Sequence, residues 1–193
     1  MGIVKGLGIY TKGKYRASDS DGVNTKAYSI WKRMVERCVE EFQVGRNRTY
    51  VGCKLDDRFL HFQDFCKWGE QQIGFLQDGY EIDKDILGNG GKVYSPDVCV
   101  FIPAKLNKFL TLSNAARGNL PLGVSTNGNK FRSRLHIDDV CVFLGNFNTP
   151  ADAFVAYKKA KEKEAKRLAD FYRNCTDHRV YEALQNYEVN ENE

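Results

Sequence analysis

The sequence predicts an α+β chain in two modules. A helical region is followed by a strand–loop–strand–helix unit, and then by a three-stranded antiparallel sheet packed on one long helix. Three observations carry this reading. Between Tyr28 and Trp68 apolar residues recur at helical spacing. From Tyr80 the pattern changes to short apolar runs, parted by Gly88-Asn89-Gly90-Gly91 and closed by Pro103. From Leu122 three strand-like runs are separated by Asn127-Gly128 and Asp138-Asp139, and the helical period returns at Thr149-Pro150. The expected organisation is an N-terminal arm over 1–26, a first module over 27–114, a second over 120–175 and an acidic tail over 180–193.

Each element has a local reason. Residues 1 to 23 are rich in Gly, Lys, Tyr and Ser and read as an extended arm or a loose strand pair. Trp31, Met34, Val35, Cys38 and Phe42 share one helical stripe, with Asn24 or Thr25 as its cap. Tyr50 to Leu55 reads as a short strand. Asp56-Asp57 opens a second helix carrying Phe59, Phe62, Phe65 and Cys66. Tyr80 to Leu87 and Val98 to Ile102 are strands around the glycine turn. Pro103 suits the first position of a helix to about Ser113, because its missing N–H has no partner there in any case. A linker over 115–119 follows. Leu122 to Ser125, Lys130 to Ile137 and Val140 to Leu144 are the three sheet strands, with Asn127-Gly128 as hairpin turn. Ala153, Phe154, Tyr157 and Ala160 form the buried stripe of the last helix, which continues as the mixed-charge surface Lys161-Glu162-Lys163-Glu164. The tail after Tyr181 reads as frayed.

Charge distribution narrows the function. The 193 residues hold 29 basic and 25 acidic side chains, a net charge of +4. Between Ala104 and Arg179 there are 14 basic residues and 7 acidic ones, whereas Val180 to Glu193 holds four glutamates and no base. A basic second half suits a polyanion, and nucleic acid is the commonest one. The basic loop Arg46-Asn47-Arg48 adds Arg46 and Arg48 as contact candidates. The six cysteines form no CxxC pair and read as buried and reduced. No apolar run reaches membrane-span length, so no membrane partner is expected.

The strand–loop–strand–helix unit presents Asp83, Lys84 and Asp85 on its first strand and Asn107 on its helix. Phosphodiester hydrolysis needs hard ligands holding a divalent ion against the phosphate, and a base to activate water. Alternation on a strand puts Asp83 and Asp85 on one face and Lys84 on the other. The segments Tyr28-Ser-Ile-Trp-Lys-Arg-Met-Val-Glu-Arg-Cys38, Asp57-Arg-Phe, Phe62-Gln-Asp-Phe-Cys-Lys-Trp68, Ile82-Asp-Lys-Asp-Ile-Leu, Gly88-Asn-Gly-Gly-Lys-Val-Tyr-Ser-Pro-Asp97 and Pro103-Ala-Lys-Leu-Asn107 together resemble the HNH family, in particular phage homing endonucleases. The resemblance implies a ββα-metal unit. It makes Asp83 and Asn107 the metal ligands, with Mg²⁺ or Mn²⁺ as cofactor. The family's water-activating histidine is replaced by Lys84, and its middle asparagine falls at about Val98. A lysine titrating near its ordinary ~10.4 is a poor base at neutral pH. That leaves Lys84 and Asp85 as the catalytic candidates, with neutralisation of a phosphate as the alternative role for Lys84.

In the second module Lys130, Arg132, Arg134 and His136 alternate with Phe131, Ser133, Leu135 and Ile137. One face packs, and the other carries a row of bases able to enter the major groove or to hold phosphates. Leu122-Gly-Val-Ser125, Lys130-Phe-Arg-Ser-Arg134, Leu144-Gly-Asn-Phe-Asn-Thr149, Ala151-Asp-Ala153 and Ala156-Tyr-Lys-Lys-Ala160 resemble the APETALA2/ethylene-response-factor DNA-binding domain. That resemblance implies that the sheet lies in the major groove, with Arg132 and Arg134 as base contacts and Lys130 and His136 beside them. Phe131, Leu144 and Phe147 read as core. Together the two resemblances imply a monomeric endonuclease acting on double-stranded DNA in the cytoplasm of an infected bacterial host. The rival is a DNA-binding protein that does not cut and serves regulation or the blocking of a host factor.

Overall fold

The computed structural model describes residues 1–111, 120–138 and 140–190; of Arg46 only the backbone is described. The linker read over 115–119, the helix end near Ser113 and Asp139 of the second turn lie outside the described residues. Helix and sheet are both present, as an α+β chain requires, and the residues fall into two compact units, Met1–Pro103 and Ala104–Glu193.

The first unit opens with a strand pair, β1 (Gly2–Val4) antiparallel to β2 (Gly8–Tyr10). Helix α1 spans Lys26–Arg37, and the Thr25 side chain accepts the Tyr28 N–H at its start. Its stripe of Ala27, Trp31, Met34 and Val35 is buried. The helix stops at Arg37, so Phe42 leaves the stripe and packs near Tyr50 instead. The expected Tyr50–Leu55 strand shrinks to β3 (Lys54–Leu55). The Gln43 amide explains this: it donates to the Arg37 carbonyl and accepts the Gly52 N–H, holding the preceding loop in 3-10 turns.

Asp56 caps a single 3-10 turn, Asp57–Phe59, and the true helix α2 begins at Phe62 and runs to Gly69. Trp31 Nε1 donates to the Phe59 carbonyl at 2.8 Å, tying α1 to this turn. Edge-on and tilted contacts form two aromatic groups, Tyr10, Tyr28, Trp31 and Phe62 in one and Phe59, Phe65, Trp68, Phe75 and Phe101 in the other, and both belong to one hydrophobic core. On it lie β4 (Tyr80–Asp83), the one-turn helix α3 (Asp85–Gly88), β5 (Val93–Tyr94) and β6 (Val100–Pro103). β4 runs antiparallel to β6, with Tyr80 opposite Pro103 and Asp83 opposite Val100. β3 runs parallel to β5.

In the second unit α4 spans Ala104–Leu110. Pro103 therefore ends the preceding strand rather than starting the helix. β7 (Val124–Asn127), β8 (Lys130–Ile137) and β9 (Val140–Phe147) form an antiparallel sheet in that order. Helix α5 (Pro150–Tyr172) follows, capped by Thr149 with Pro150 in its first turn. Leu122, Val124, Leu135, Ala153, Phe154 and Tyr157 are the buried contact between sheet and helix, with Phe131, Leu144 and Phe147 packed at its margin.

Further expectations fail in this unit. Lys161 and Glu164 are buried rather than surface residues, at 3% and 7% exposure. Lys161 Nζ donates to the Phe109 carbonyl at 3.0 Å and lies over the Phe109 ring, while Arg167 pairs with both Glu164 oxygens. The tail is also ordered as far as Asn190. Helix α6 (His178–Gln185) buries Val180 and Leu184 and packs back on α5, and Val189 joins the sheet core. Lys158 Nζ donates to the Val189 carbonyl and Glu162 accepts the Val189 N–H.

Candidate functional site

The first unit gathers Asp83, Lys84 and Asp85 at the end of β4, though not as a strand. Asp83 Oδ1 accepts the N–H groups of Asp85 at 3.0 Å and Ile86 at 2.9 Å. A carboxylate that captures the amides two and three residues on turns the chain, which is why β4 stops there and α3 begins. Asp85 consequently sits in the helical turn, so the period-two argument that put it on the face of Asp83 does not apply. Burial raises the Asp83 carboxyl above its ordinary value, opposed by those two amides and by the Lys84 charge.

Lys84 is 5% exposed. Its Nζ donates to the Gly91 carbonyl at 2.8 Å and to Asp85 Oδ1, and lies 5.6 Å from the centre of the Tyr94 ring. The ammonium thus fastens the glycine-rich loop to the turn. A divalent magnesium site typically takes one or two carboxylates and completes its shell with water and phosphate oxygens. Asp83 and Asp85 have the hard oxygens that such a site needs. Among the described residues no group of three or more His, Cys, Asp or Glu side chains suits a metal by itself. Asn107 lies on α4, in the other compact unit.

The second candidate is the outward face of the sheet. On β8 Lys130, Arg134 and His136 are exposed and Arg132 is half-buried, while Ser133 and Leu135 point into the core. Across the strands Arg132 stands opposite Ser125 and Asn146, Arg134 opposite Phe143, and His136 opposite Cys141. A bulge between Ser133 and Arg134 puts Leu144 in excess on β9, with Gly145 beside it at φ 141°. Phe143, 58% exposed, therefore shares the basic face with Arg134. The sequence reading passed over Phe143 because Val140 to Leu144 is apolar throughout. Asn127 and Asn146 were also missed. Arg132 Nη2 donates to Asn127 Oδ1, and Asn127 Nδ2 donates to Asn146 Oδ1 at 3.1 Å.

Of the basic loop, Arg48 is exposed in the 3-10 turn Gly45–Tyr50, and the side chain of Arg46 lies outside the described residues. Cys53, Cys66 and Cys99 are buried, with burial pushing the Cys66 and Cys99 thiols up to about 12, but Cys141 is exposed. Among the described residues no helix is long and apolar enough to cross a membrane. No protein-family model, no curated protein and no solved structure matches the chain.

Proposed function

We propose that this protein binds double-stranded DNA through the outward face of β7–β8–β9 and belongs to the HNH type of endonuclease. The observation that carries the proposal is the row Lys130, Arg132, Arg134 and His136 on one exposed strand face, anchored from behind by α5. Arginine forks match guanine edges and phosphates, and Phe143 offers an apolar surface to a thymine methyl. In the first unit Asp83 and Asp85 would hold Mg²⁺ or Mn²⁺. The metal, when bound, supplies Lewis-acid stabilisation and an activated water. Asp83 is preset by its two backbone amides, and Lys84 brings a positive charge to the approach of a phosphate.

A second reading, a DNA-binding protein that does not cut, has one observation in its favour. Lys84 stands where the family has its base, and its Nζ is committed to Asp85 and to the Gly91 carbonyl.

Two experiments separate these readings. In gel-shift titrations at rising salt, Arg132→Ala/Arg134→Ala is expected to weaken duplex binding by tenfold or more and to lower the salt slope by about one for each of the two that neutralises a phosphate. Unchanged affinity and slope would remove the sheet from the proposal. In a supercoiled-plasmid assay, with phage and host genomic DNA alongside, metal-dependent nicking lost in Asp83→Ala and in Asp85→Ala supports the enzyme. Gel-shifted but uncut DNA on every substrate supports the second reading.

A further inference from the structure

The Asn127–Asn146 pair extends the DNA reading to a device for base selection. In the hairpin joining β7 to β8, Gly128 has φ 60° and Asn127 pairs with Lys130 in the register. The turn is therefore centred on Gly128-Asn129, the arrangement with glycine first, and not on Asn127-Gly128. This shift releases the Asn127 side chain from the turn. It lies instead on the sheet surface, where Oδ1 accepts from Arg132 and Nδ2 donates to Asn146. One residue from each of the three strands thus joins a single row across the outward face.

The direction of these bonds is set by chemistry. A guanidinium only donates, so Asn127 must turn its oxygen to Arg132 and its nitrogen to Asn146, which must then present its own oxygen. The bond occupies one of the five N–H donors of Arg132 and removes much of the side chain's rotamer freedom. A phosphate contact tolerates a swinging cation, because the charge alone supplies the attraction. A bidentate contact to a guanine edge requires the fork to lie in the plane of the base. A tethered arginine in the middle of a row that also includes Lys130, Arg134 and His136 fits the second task, leaving phosphate contacts to its neighbours.

We propose that Asn127 and Asn146 are positioning residues that hold Arg132 in the orientation for reading a guanine in the major groove. The proposal rests on the reading of this sheet as a DNA-binding face. Full-length protein selects its preferred sequences from a randomised duplex library, and affinity is then measured for the best sequence and for a scrambled duplex. The wild type is expected to prefer a guanine-containing sequence. Arg132→Ala and Asn127→Ala are each expected to reduce that preference roughly tenfold at the same base position. The double variant is expected to lose no more than Arg132→Ala alone, since the two act as one unit. Affinity of Asn127→Ala for the scrambled duplex, and its salt slope, are expected to stay within about twofold of wild type, because no charge has been removed. Asn146→Asp keeps the acceptor for Asn127 and retains the preference, whereas Asn146→Ala loses part of it; this pair repeats the comparison without touching the turn.

Asn127→Ala and Asn146→Ala chains that keep full preference while Arg132→Ala loses it would overturn the positioning role and leave DNA binding intact. An Arg132→Ala chain with undiminished preference would overturn it as well. A wild-type chain that shifts no duplex would remove the DNA reading itself, and this inference with it.

Discussion

Ser133 carries a hydroxyl into the core between sheet and α5, where it is fully buried and has no hydrogen-bond partner among the described residues. An unsatisfied buried hydroxyl costs about 1–3 kcal/mol, so Ser133→Ala is expected to hold or raise the stability of the second unit by about 1 kcal/mol in thermal or denaturant unfolding. Gly123 works in the opposite direction. Its φ is 74°, and a Cβ there would stand 2.0 Å from a ring carbon of Tyr157. Its carbonyl also accepts the Arg134 N–H at the bulge. Gly123→Ala would push the helix off the strand and strain the backbone together. A loss of about 2–4 kcal/mol is expected, measurable by urea titration. Glycine at this position was visible in the sequence as part of a motif, but the reason for it lies in the approach of Tyr157, some thirty residues away, which no local pattern encodes.

Whole elements depend on their caps. Thr149 Oγ1 accepts the Asp152 N–H at 3.1 Å and donates to Asp152 Oδ2 at 2.7 Å, at the start of the longest helix in the described chain. Thr149→Ala should cost about 1 kcal/mol in unfolding free energy, and Thr149→Ser should cost less. In the first unit Asp56 caps the Asp57–Phe59 turn and pairs with Arg58, whose hydrogen bonds lower the Asp56 carboxyl to about 2. The folded value lies below the unfolded one, near ~3.9, so the unfolded state takes up the proton first as pH falls. The contribution of Asp56 is whole above about pH 5 and is lost on acidification toward pH 2. Stability measured across that window should fall less steeply in Asp56→Asn than in wild type. An equal slope would show that the cap does not report on folding. Asp83 acts with the opposite sign, because burial raises its carboxyl and its charge opposes folding at neutral pH. Elements with strong periodicity were legible from residues alone: α1 with its Thr25 cap, β8 over Lys130–Ile137, and α5 from Thr149. The failures share another cause. β4 was read through to Leu87 because the apolar residues continue, yet a side-chain carboxylate captures the backbone and ends the strand at Asp83. The tail after Tyr181 reads as frayed because termini usually are, yet Leu184 of α6 is buried and the helix packs on α5.

At the scale of the molecule, the tail is the part whose reading changes most. Val189 is 1% exposed and is bracketed by Lys158 and Glu162 of α5, so the acidic segment is built into the second unit up to that point. Val189→Asp would place a charge in the core that holds the sheet on its helix. It is expected to unfold the second unit or lower its melting temperature by many degrees, and to reduce duplex affinity in step, whereas Glu188→Gln leaves stability within about 0.5 kcal/mol. Hydrophobic period, turn residues and caps determined by themselves that the chain is α+β, that a three-stranded sheet precedes a long helix, and that one face of β8 is basic, because each of these follows from neighbours within a few residues. Tertiary structure decided what depends on contacts distant in sequence. It buried Lys84 and Lys161 against carbonyls and rings, turned Phe143 outward at a bulge, and tied Arg132 through Asn127 to Asn146. Such contacts form only once the strands and helices have met, and no spacing along the chain specifies them.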